Sequence, residues 1–321
     1  MTEKTKTMSI TGKQIGAFLQ EKGLIIAFIF MCAVFSLLSP VFFTVSNFLN
    51  IALQSSALII MGIGMSLTIA SGGIDLTVGG VIALTGIIMG IMLSAGFNLV
   101  ISILAGLLVG VVAGVINGII ISKFKVTPFI ATLATYSMIR AIALIISDGR
   151  PIYGFPVGFR FLGSGKLLFN LPTAFFIALA CIIIFNFIIE HTRIGRNALA
   201  IGGNKEAARL SGINIVTNTV VFYALAALLY SIAGIIYTAR LNAAEPIAAM
   251  GVELEVIAAT VLGGTRMEGG YTKISGTVIG ALVLAVLRNG LTLLGVQSYY
   301  QQLTIGIVIV LAVLADQIRK K

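Results

Sequence analysis

The amino-acid sequence predicts an all-α polytopic membrane protein of about ten transmembrane helices, with broken short spans and a weak internal repeat. Its residues are 58% hydrophobic and only 10% charged, and the mean hydropathy is +1.09. Soluble domains, by contrast, are about a quarter charged. Uncharged stretches long enough to cross a hydrocarbon core of about 30 Å recur along the chain. The 36 glycines agree with this class, because small residues let membrane helices pack closely.

The apolar segments define one transmembrane domain between two charged tails. We place an N-terminal tail at 1–22, the domain at 23–317 and a C-terminal tail at 318–321. The lysines ahead of the first segment resemble a signal sequence, but no small-residue cleavage site follows, so we predict that this segment is retained. The ten segments are 24–39, 57–71, 78–95, 97–122, 127–147, 172–190, 216–239, 253–264, 275–295 and 299–315.

The distribution of basic residues predicts the topology. With the N-terminus in the cytoplasm, 15 of the 21 Lys and Arg residues fall in cytoplasmic tails and loops, and four fall in outer loops. The positive-inside rule favours this orientation, which places both termini in the cytoplasm. It also accounts for the net charge of +10 without nucleic acid, so membrane lipid rather than nucleic acid is the expected environment.

The sequence contains no recognisable catalytic, metal or cofactor site. The string "GSGK" ending at Lys166 lacks the first glycine of a P-loop, because Arg160 stands there, and Leu167 replaces the required Ser or Thr. The lone histidine, His191, has no Cys/His cluster of metal-ligand spacing around it. We therefore predict no enzymatic activity, no metal and no cofactor.

Two stretches of glycine interrupt the apolar pattern. The second segment runs into "SGGIDLTVGGVI" and the eighth into "LGGTRMEGGYTKISGTVI". We interpret both as short, broken spans of one weak repeat of parallel sense, because Gly73 and Gly79 have the spacing of Gly270 and Gly276. Such spans in matching halves indicate a transport pathway. Cytoplasmic turns with glycine caps are the structural alternative.

Polar residues at and near these breaks are candidates for the translocation pathway. Asp75 stands where the chain barely leaves the membrane, so it needs a partner or water, unless it serves as a helix N-cap. Arg140 and Arg288 lie inside apolar segments, where a pathway role and a structural ion pair are both open. The candidate pathway residues are Gly72, Gly73, Asp75, Arg288 and Asn289.

The loop 191–215, called the charged loop below, breaks the apolar pattern in the middle of the chain. We predict a two-turn helix there, with Asn204 as its N-cap, Glu206 in its first turn and Gly212 as its stop. So short a helix is marginal alone and needs a surface to pack on. A cytoplasmic partner would provide that surface, and the lipid surface is the alternative. Its predicted apolar face consists of Ala207, Leu210 and Ile213.

Several stretches in order resemble the permease subunits of bacterial ABC importers for simple sugars, in the branched-chain amino acid and ribose permease superfamily. The likeness covers nearly the whole chain and is greatest to ribose-type permeases. The stretches are "FFTVSNFLNI", "SGGIDLTVGG", "TPFIATLATYSMIRAIALIISDGRPI", "TRIGRNALAIGGNKEAARLSGINI", "VLGGT" and "NGLTLLGVQSYYQ".

The resemblance implies a permease in the bacterial cytoplasmic (inner) membrane that moves a sugar, while a separate cytoplasmic ATP-binding subunit hydrolyses ATP. It further implies a periplasmic or lipid-anchored sugar-binding protein and a second permease copy in a dimer. The charged loop would carry the coupling helix that docks on the ATPase. The docking residues implied in this way are Gly203, Asn204, Glu206, Ala207, Arg209 and Gly212.

Three departures from the ribose-type pattern leave the sugar open between pentoses, hexoses, polyols and sugar-like signal molecules. Glu245 precedes Pro246 where Gln is usual, the 266–276 stretch is more charged, and Arg288 stands where Asn is common. An ion-gradient-driven secondary transporter is the alternative function, with Asp75 as its only candidate ion-binding acid.

Overall fold

The computed structural model describes residues 23–318, and it is all-helical apart from one two-residue strand pair. The predicted N-terminal tail 1–22 lies outside the described residues, as do residues 319–321 of the predicted C-terminal tail 318–321. The helices are α1 Gly23–Leu38, α2 Val45–Ala70, α3 Val78–Ser94, α4 Leu99–Ser122, α5 Pro128–Ile146, α6 Val157–Ser164, α7 Thr173–His191, α8 Arg193–Gly203, α9 Lys205–Leu210, α10 Ile215–Leu241, α11 Val252–Leu262, α12 Ile274–Leu293 and α13 Ser298–Ile318.

The helical membrane class is confirmed, but the count of ten spans is not. Among the described residues, six helices are long and apolar enough to cross a membrane: α2, α4, α5, α7, α10 and α12. Two further apolar helices, α1 and α3, are shorter. The structure also adds α6 and α8, which we did not predict as helices.

Helices α2 and α10 form the centre of the bundle. Both are largely buried, and α10 lies against α4 along a line of small residues. Gly110, Gly114 and Gly118 recur on α4 every fourth residue, and a Cβ atom at any of them would overlap the α10 backbone or, at Gly110, Ser231 as well. Since small residues allow such close approach in membranes, this glycine line explains the contact between α4 and α10.

The predicted shortness of the second segment is wrong. Helix α2 has 26 residues and begins at Val45, because polar residues in its first turns are buried and hydrogen-bonded inside the protein. At about 1.5 Å per residue it is about 39 Å long, enough to cross the membrane. The eighth segment is short as predicted: α11 has 11 residues and a length of about 16 Å.

Helices α2 and α11 end with the same local geometry, which other helices of the chain share, so the internal repeat stays a prediction. At the end of α2, Gly72 has φ +84°, and Gly73 N donates to Thr68 O at 3.0 Å. At the end of α11, Gly264 has φ +91°, and Thr265 N donates to Thr260 O at 3.2 Å. Both are Schellman ends, which need a left-handed residue that glycine adopts without strain.

After each end the chain is non-helical before the next helix begins. The segment 71–77 is called the first break, and the segment 263–273 the second break. The predicted turn region at 148–171 consists of a strand, the short helix α6 and a 3-10 turn. Its strand Ile152–Tyr153 pairs antiparallel with Ala243–Ala244, which joins this region to the end of α10.

Candidate functional site

The first break carries Asp75 into the protein interior. Asp75 is fully buried, and its Oδ1 accepts hydrogen bonds from Thr77 N at 2.9 Å and Thr77 Oγ1 at 2.6 Å. Its Oδ2 has no hydrogen-bond partner among the described residues. Thr77, not Asp75, is the N-cap residue of α3, so the structural role proposed for Asp75 becomes a turn around Thr77 rather than a cap.

The rest of the first break is held by neighbouring helices. The Ile74 carbonyl accepts from Thr132 Oγ1 at 3.3 Å and from Tyr223 Oη at 3.4 Å. Gly73 lies directly under Tyr223, where a Cβ atom would overlap the phenol oxygen. These hydrogen bonds satisfy the Ile74 carbonyl inside the protein, as a non-helical segment at membrane depth requires.

Arg140 holds the turn 245–251, which leads into α11. Its guanidinium is buried, and Nη1 donates to the carbonyls of Pro246 and Ala248 at 2.8 Å each. This turn lies directly against the first turn of α3, because a Cβ atom at Gly79 would overlap the Ala249 carbonyl oxygen and would lie 3.1 Å from Arg140 Nη2. Arg140 therefore fastens the start of α11 to α5 and α3.

Arg288 lines a polar cavity of about 210 Å³, called the Arg288 cavity below. Arg288 Nη2 lies 2.8 Å from Glu255 Oε2, so the arginine is part of an ion pair between α12 and α11. Cavities of about 300–1,000 Å³ hold drug-sized ligands, and a space this small suits a smaller solute. The polar lining residues are Gln54, Tyr237, Arg240, Glu255, Arg288, Thr292 and Gln301.

Asn289 does not line the Arg288 cavity. It is buried, and its amide exchanges two hydrogen bonds with Asn47 at 2.8 and 3.0 Å. Asn47 Nδ2 also donates to Phe42 O at 2.9 Å. The contacts of Asn289 thus join α12 to the first turn of α2.

The charged loop folds as two helices. The predicted capping is confirmed: Asn204 Oδ1 accepts from Ala207 N at 2.9 Å, and Gly212, with φ +83°, follows the end of α9. Helix α8 precedes it and packs on the bundle through Ala198 and Ile201.

The predicted apolar face of the short helix is wrong in part. Ala208 is the buried residue of α9, while Leu210 is 75% exposed. Arg209 Nε lies 3.1 Å from both carboxylate oxygens of the exposed Glu206, and this hydrogen bond lowers the pKa of Glu206. The charged loop therefore exposes the Glu206–Arg209 charge pair and the side chain of Leu210 on its surface.

The candidate residues lie in four places. Gly72, Gly73 and Asp75 lie in the first break, Arg288 lines its cavity, Asn289 pairs with Asn47, and the predicted docking residues lie in the charged loop. The sequence interpretation overlooked Glu253 and Glu255. Carboxylates near the start of an apolar segment were the available signal, because acids within a membrane require cationic partners.

A family model described as "Branched-chain amino acid transport system / permease component" matches residues 47–313. The chain belongs to this permease family. Two ribose import permease proteins are similar to this permease: that of Escherichia coli K12 is 42% identical, covering 97% of this chain and 98% of the relative, and that of Bacillus subtilis 168 is 41% identical, covering 99% of both. The L-arabinose transport system permease protein of Escherichia coli K12 is 37% identical, covering 95% and 93%. No solved structure matches the chain.

Proposed function

We propose that this permease is the membrane-spanning subunit of an ATP-driven importer that moves a simple sugar, ribose or a related monosaccharide, across the bacterial cytoplasmic membrane. The observation that carries the proposal is the 42% identity to a ribose import permease over nearly the whole chain. ATP hydrolysis belongs to a separate cytoplasmic subunit, and the sugar arrives from a periplasmic or lipid-anchored binding protein. A second permease copy completes the pathway.

The proposal assigns ten membrane segments to the described helices: α1 to α5, α7 and α10 to α13. The domain spans 23–317, and both tails, 1–22 and 318–321, are cytoplasmic. In that orientation the Arg288 cavity opens toward the outer side, and the charged loop lies inside. Basic residues concentrated in the inner loops support this arrangement.

The Arg288 cavity is the proposed entry site for the sugar. Amide, hydroxyl and guanidinium groups line one side of it, and Ala57, Leu58, Met61 and Val252 provide apolar surface. Hydroxyl-rich solutes need such hydrogen-bonding groups at fixed positions, together with apolar surface. In this proposal Arg288 acts at the entry and Gly72, Gly73 and Asp75 act deeper in the pathway, while Asn289 positions α12 from its pair with Asn47.

The transport experiment uses proteoliposomes that contain the permease, the ATP-binding subunit and the sugar-binding protein encoded beside it. Labelled ribose, arabinose and allose are supplied outside, with ATP inside. We expect uptake of at least one sugar that requires ATP and all three components. Uptake by the permease alone, driven by a proton or sodium gradient, would instead establish the secondary-transporter alternative.

The docking role of the charged loop is tested at its exposed charge pair. Because such a pair contributes little to stability, its loss reports on the partner rather than on folding. We expect Glu206→Lys to abolish uptake and release the ATPase. The double variant Glu206→Arg with Arg209→Glu keeps a charge pair within α9 but reverses its two charges. If the ATPase recognises the order of the charges, this variant should also fail to bind the ATPase and to take up sugar. Normal co-purification and uptake in both variants would refute docking at these residues.

A further inference from the structure

The charged loop and the two breaks meet at one point, where their backbones touch. Gly270 of the second break donates its N–H to the carbonyl of Ala70, the last residue of α2, at 2.8 Å. The last turn of α8 lies against this bond. A Cβ atom at Gly202 would overlap the Ala70 carbonyl oxygen and lie 2.6 Å from Gly270 N.

The glycines of the two breaks approach α8 as closely. A Cβ atom at Gly269 would lie 2.8 Å from Gly202 O, and one at Gly270 would lie 2.9 Å from Gly203 Cα. On the first break, a Cβ atom at Gly72 would lie 3.6 Å from Gly202 Cα. No long side chain separates these segments, so a shift of α8 meets backbone on both sides.

Each break leads from this contact into the interior. The first continues through Gly73 to the buried Asp75. The second continues into α12, where Thr277 Oγ1 lies 2.7 Å from Ser66 Oγ of α2. On the other side, Gly203 ends α8, Asn204 is the N-cap of α9, and α9 begins at Lys205, so one residue separates Gly203 from the proposed docking helix.

We propose that Gly202 is a positioning residue that transmits movement of the charged loop to both breaks at once. This inference rests on the proposed function, because an ATPase docked on α9 must supply the movement. A close-packed contact transmits displacement, since it has no space in which a shift could be absorbed. The three backbones at Ala70, Gly202 and Gly270 thus move together, and a Cβ atom at Gly202 separates them.

The first test compares Gly202→Ala with Gly158→Ala in the assembled transporter. Both add one methyl group to a helix, but at Gly158 the nearest atom, Leu99 Cδ2, would be 3.6 Å away, an ordinary contact. The measurement is sugar moved per ATP hydrolysed, with ATPase co-purification recorded alongside. We expect Gly202→Ala to retain the ATPase while lowering this ratio by about fivefold or more, the lower end of common coupling effects. Gly158→Ala should match the parent protein.

An unchanged ratio in Gly202→Ala overturns the inference while leaving the proposed function intact. A loss of uptake in proportion to the amount of complex, at a constant ratio, assigns Gly202 a structural role only. Failure of the parent protein to bind any ATPase refutes the proposed function itself.

The second test keeps all the glycines, so the contact at Gly202 itself is unchanged. Spin labels are attached at Leu210→Cys and Tyr271→Cys, both exposed, after Cys32 and Cys181 are replaced by Ser. A second labelled pair combines Leu210→Cys with Arg150→Cys, at an exposed position in the turn region 148–171. On trapping the ATP-bound transporter, the 210–271 distance should stay constant while the 210–150 distance changes. A changed 210–271 distance contradicts joint movement.

Discussion

Arg288 Nη2 lies 2.8 Å from Glu255 Oε2, an ion pair whose two members differ in exposure. The arginine side chain is 46% exposed to the cavity, and the glutamate side chain is 9% exposed. Losing the arginine therefore leaves a buried carboxylate without its cation, whereas losing the glutamate leaves a cation that water can still reach. Because of this difference in exposure, replacing Arg288 and replacing Glu255 should have different effects.

We expect Arg288→Gln to destabilise the permease more than Glu255→Gln. Leaving one charge of a fully buried pair without its partner costs about 3–5 kcal/mol, and the cost here should be smaller because the arginine is half exposed. The double variant should recover most of the loss, because it removes both charges. Thermal unfolding of the purified permease in detergent measures all three. Equal destabilisation by the two single variants would contradict the assigned asymmetry.

Arg140→Gln removes the clamp on the turn 245–251. Two hydrogen bonds from a charged group are lost, each worth about 1.5–3 kcal/mol. The predicted result is faster proteolysis or hydrogen exchange in that turn, with little change in the charged loop. The matched control is Arg150→Gln, since Arg150 is exposed and its side chain lies 3.8 Å from Asp148, also exposed. Uniform loosening of the whole chain would argue against a local clamp.

Asn47→Ala leaves the buried amide of Asn289 without its partner. An unsatisfied buried polar group costs about 1–3 kcal/mol, so the melting temperature should fall. Replacing both asparagines by leucine removes both polar groups and should restore part of the stability. If the double variant is no more stable than the single one, the pair does not act as a self-contained contact.

Asn204→Ala tests the helix cap in the charged loop. Losing an N-cap typically costs about 1 kcal/mol, enough to unfold a helix of six residues. We predict lost ATPase co-purification with an unchanged melting temperature of the membrane domain. Asn204→Asp, which retains the capping oxygen, should preserve docking. Docking by Asn204→Ala at the parent level would show that α9 does not need its cap.

The sequence predicted the apolar helices well, because lipid imposes a strong and local pattern on them. It failed in the first part of α2, where Asn47, Ser55 and Ser56 make the segment look polar. Ser55 and Ser56 donate to the Ala52 carbonyl within the helix, whereas Asn47 pairs with Asn289, 242 residues away, so no local pattern reveals that Asn47 is satisfied. A membrane helix with internally paired polar groups therefore looks shorter in sequence than it is.

The candidate functional residues likewise include some that the sequence could predict and some that it could not. Asn204 and Gly212 were predictable, because capping depends on residues within one or two turns. The ion pair of Arg288 with Glu255 and the bonds of Arg140 to the turn 245–251 were not, since they depend on how distant helices pack. The misjudged face of α9 has a related cause: only the position of the bundle decides that Ala208 is buried and Leu210 exposed.

The glycine line of α4 limits how this protein can vary. At Gly110, Gly114 and Gly118 even one methyl group would meet α10, whose neighbouring atoms there belong largely to its main chain and cannot rotate away. A library containing every single substitution should therefore yield only glycine at these three sites among functional clones. Exposed positions of the same helix, such as Leu104 and Leu108, should accept most apolar residues. Helix α4 should therefore have one face that accepts only glycine and another face at which many apolar residues are tolerated.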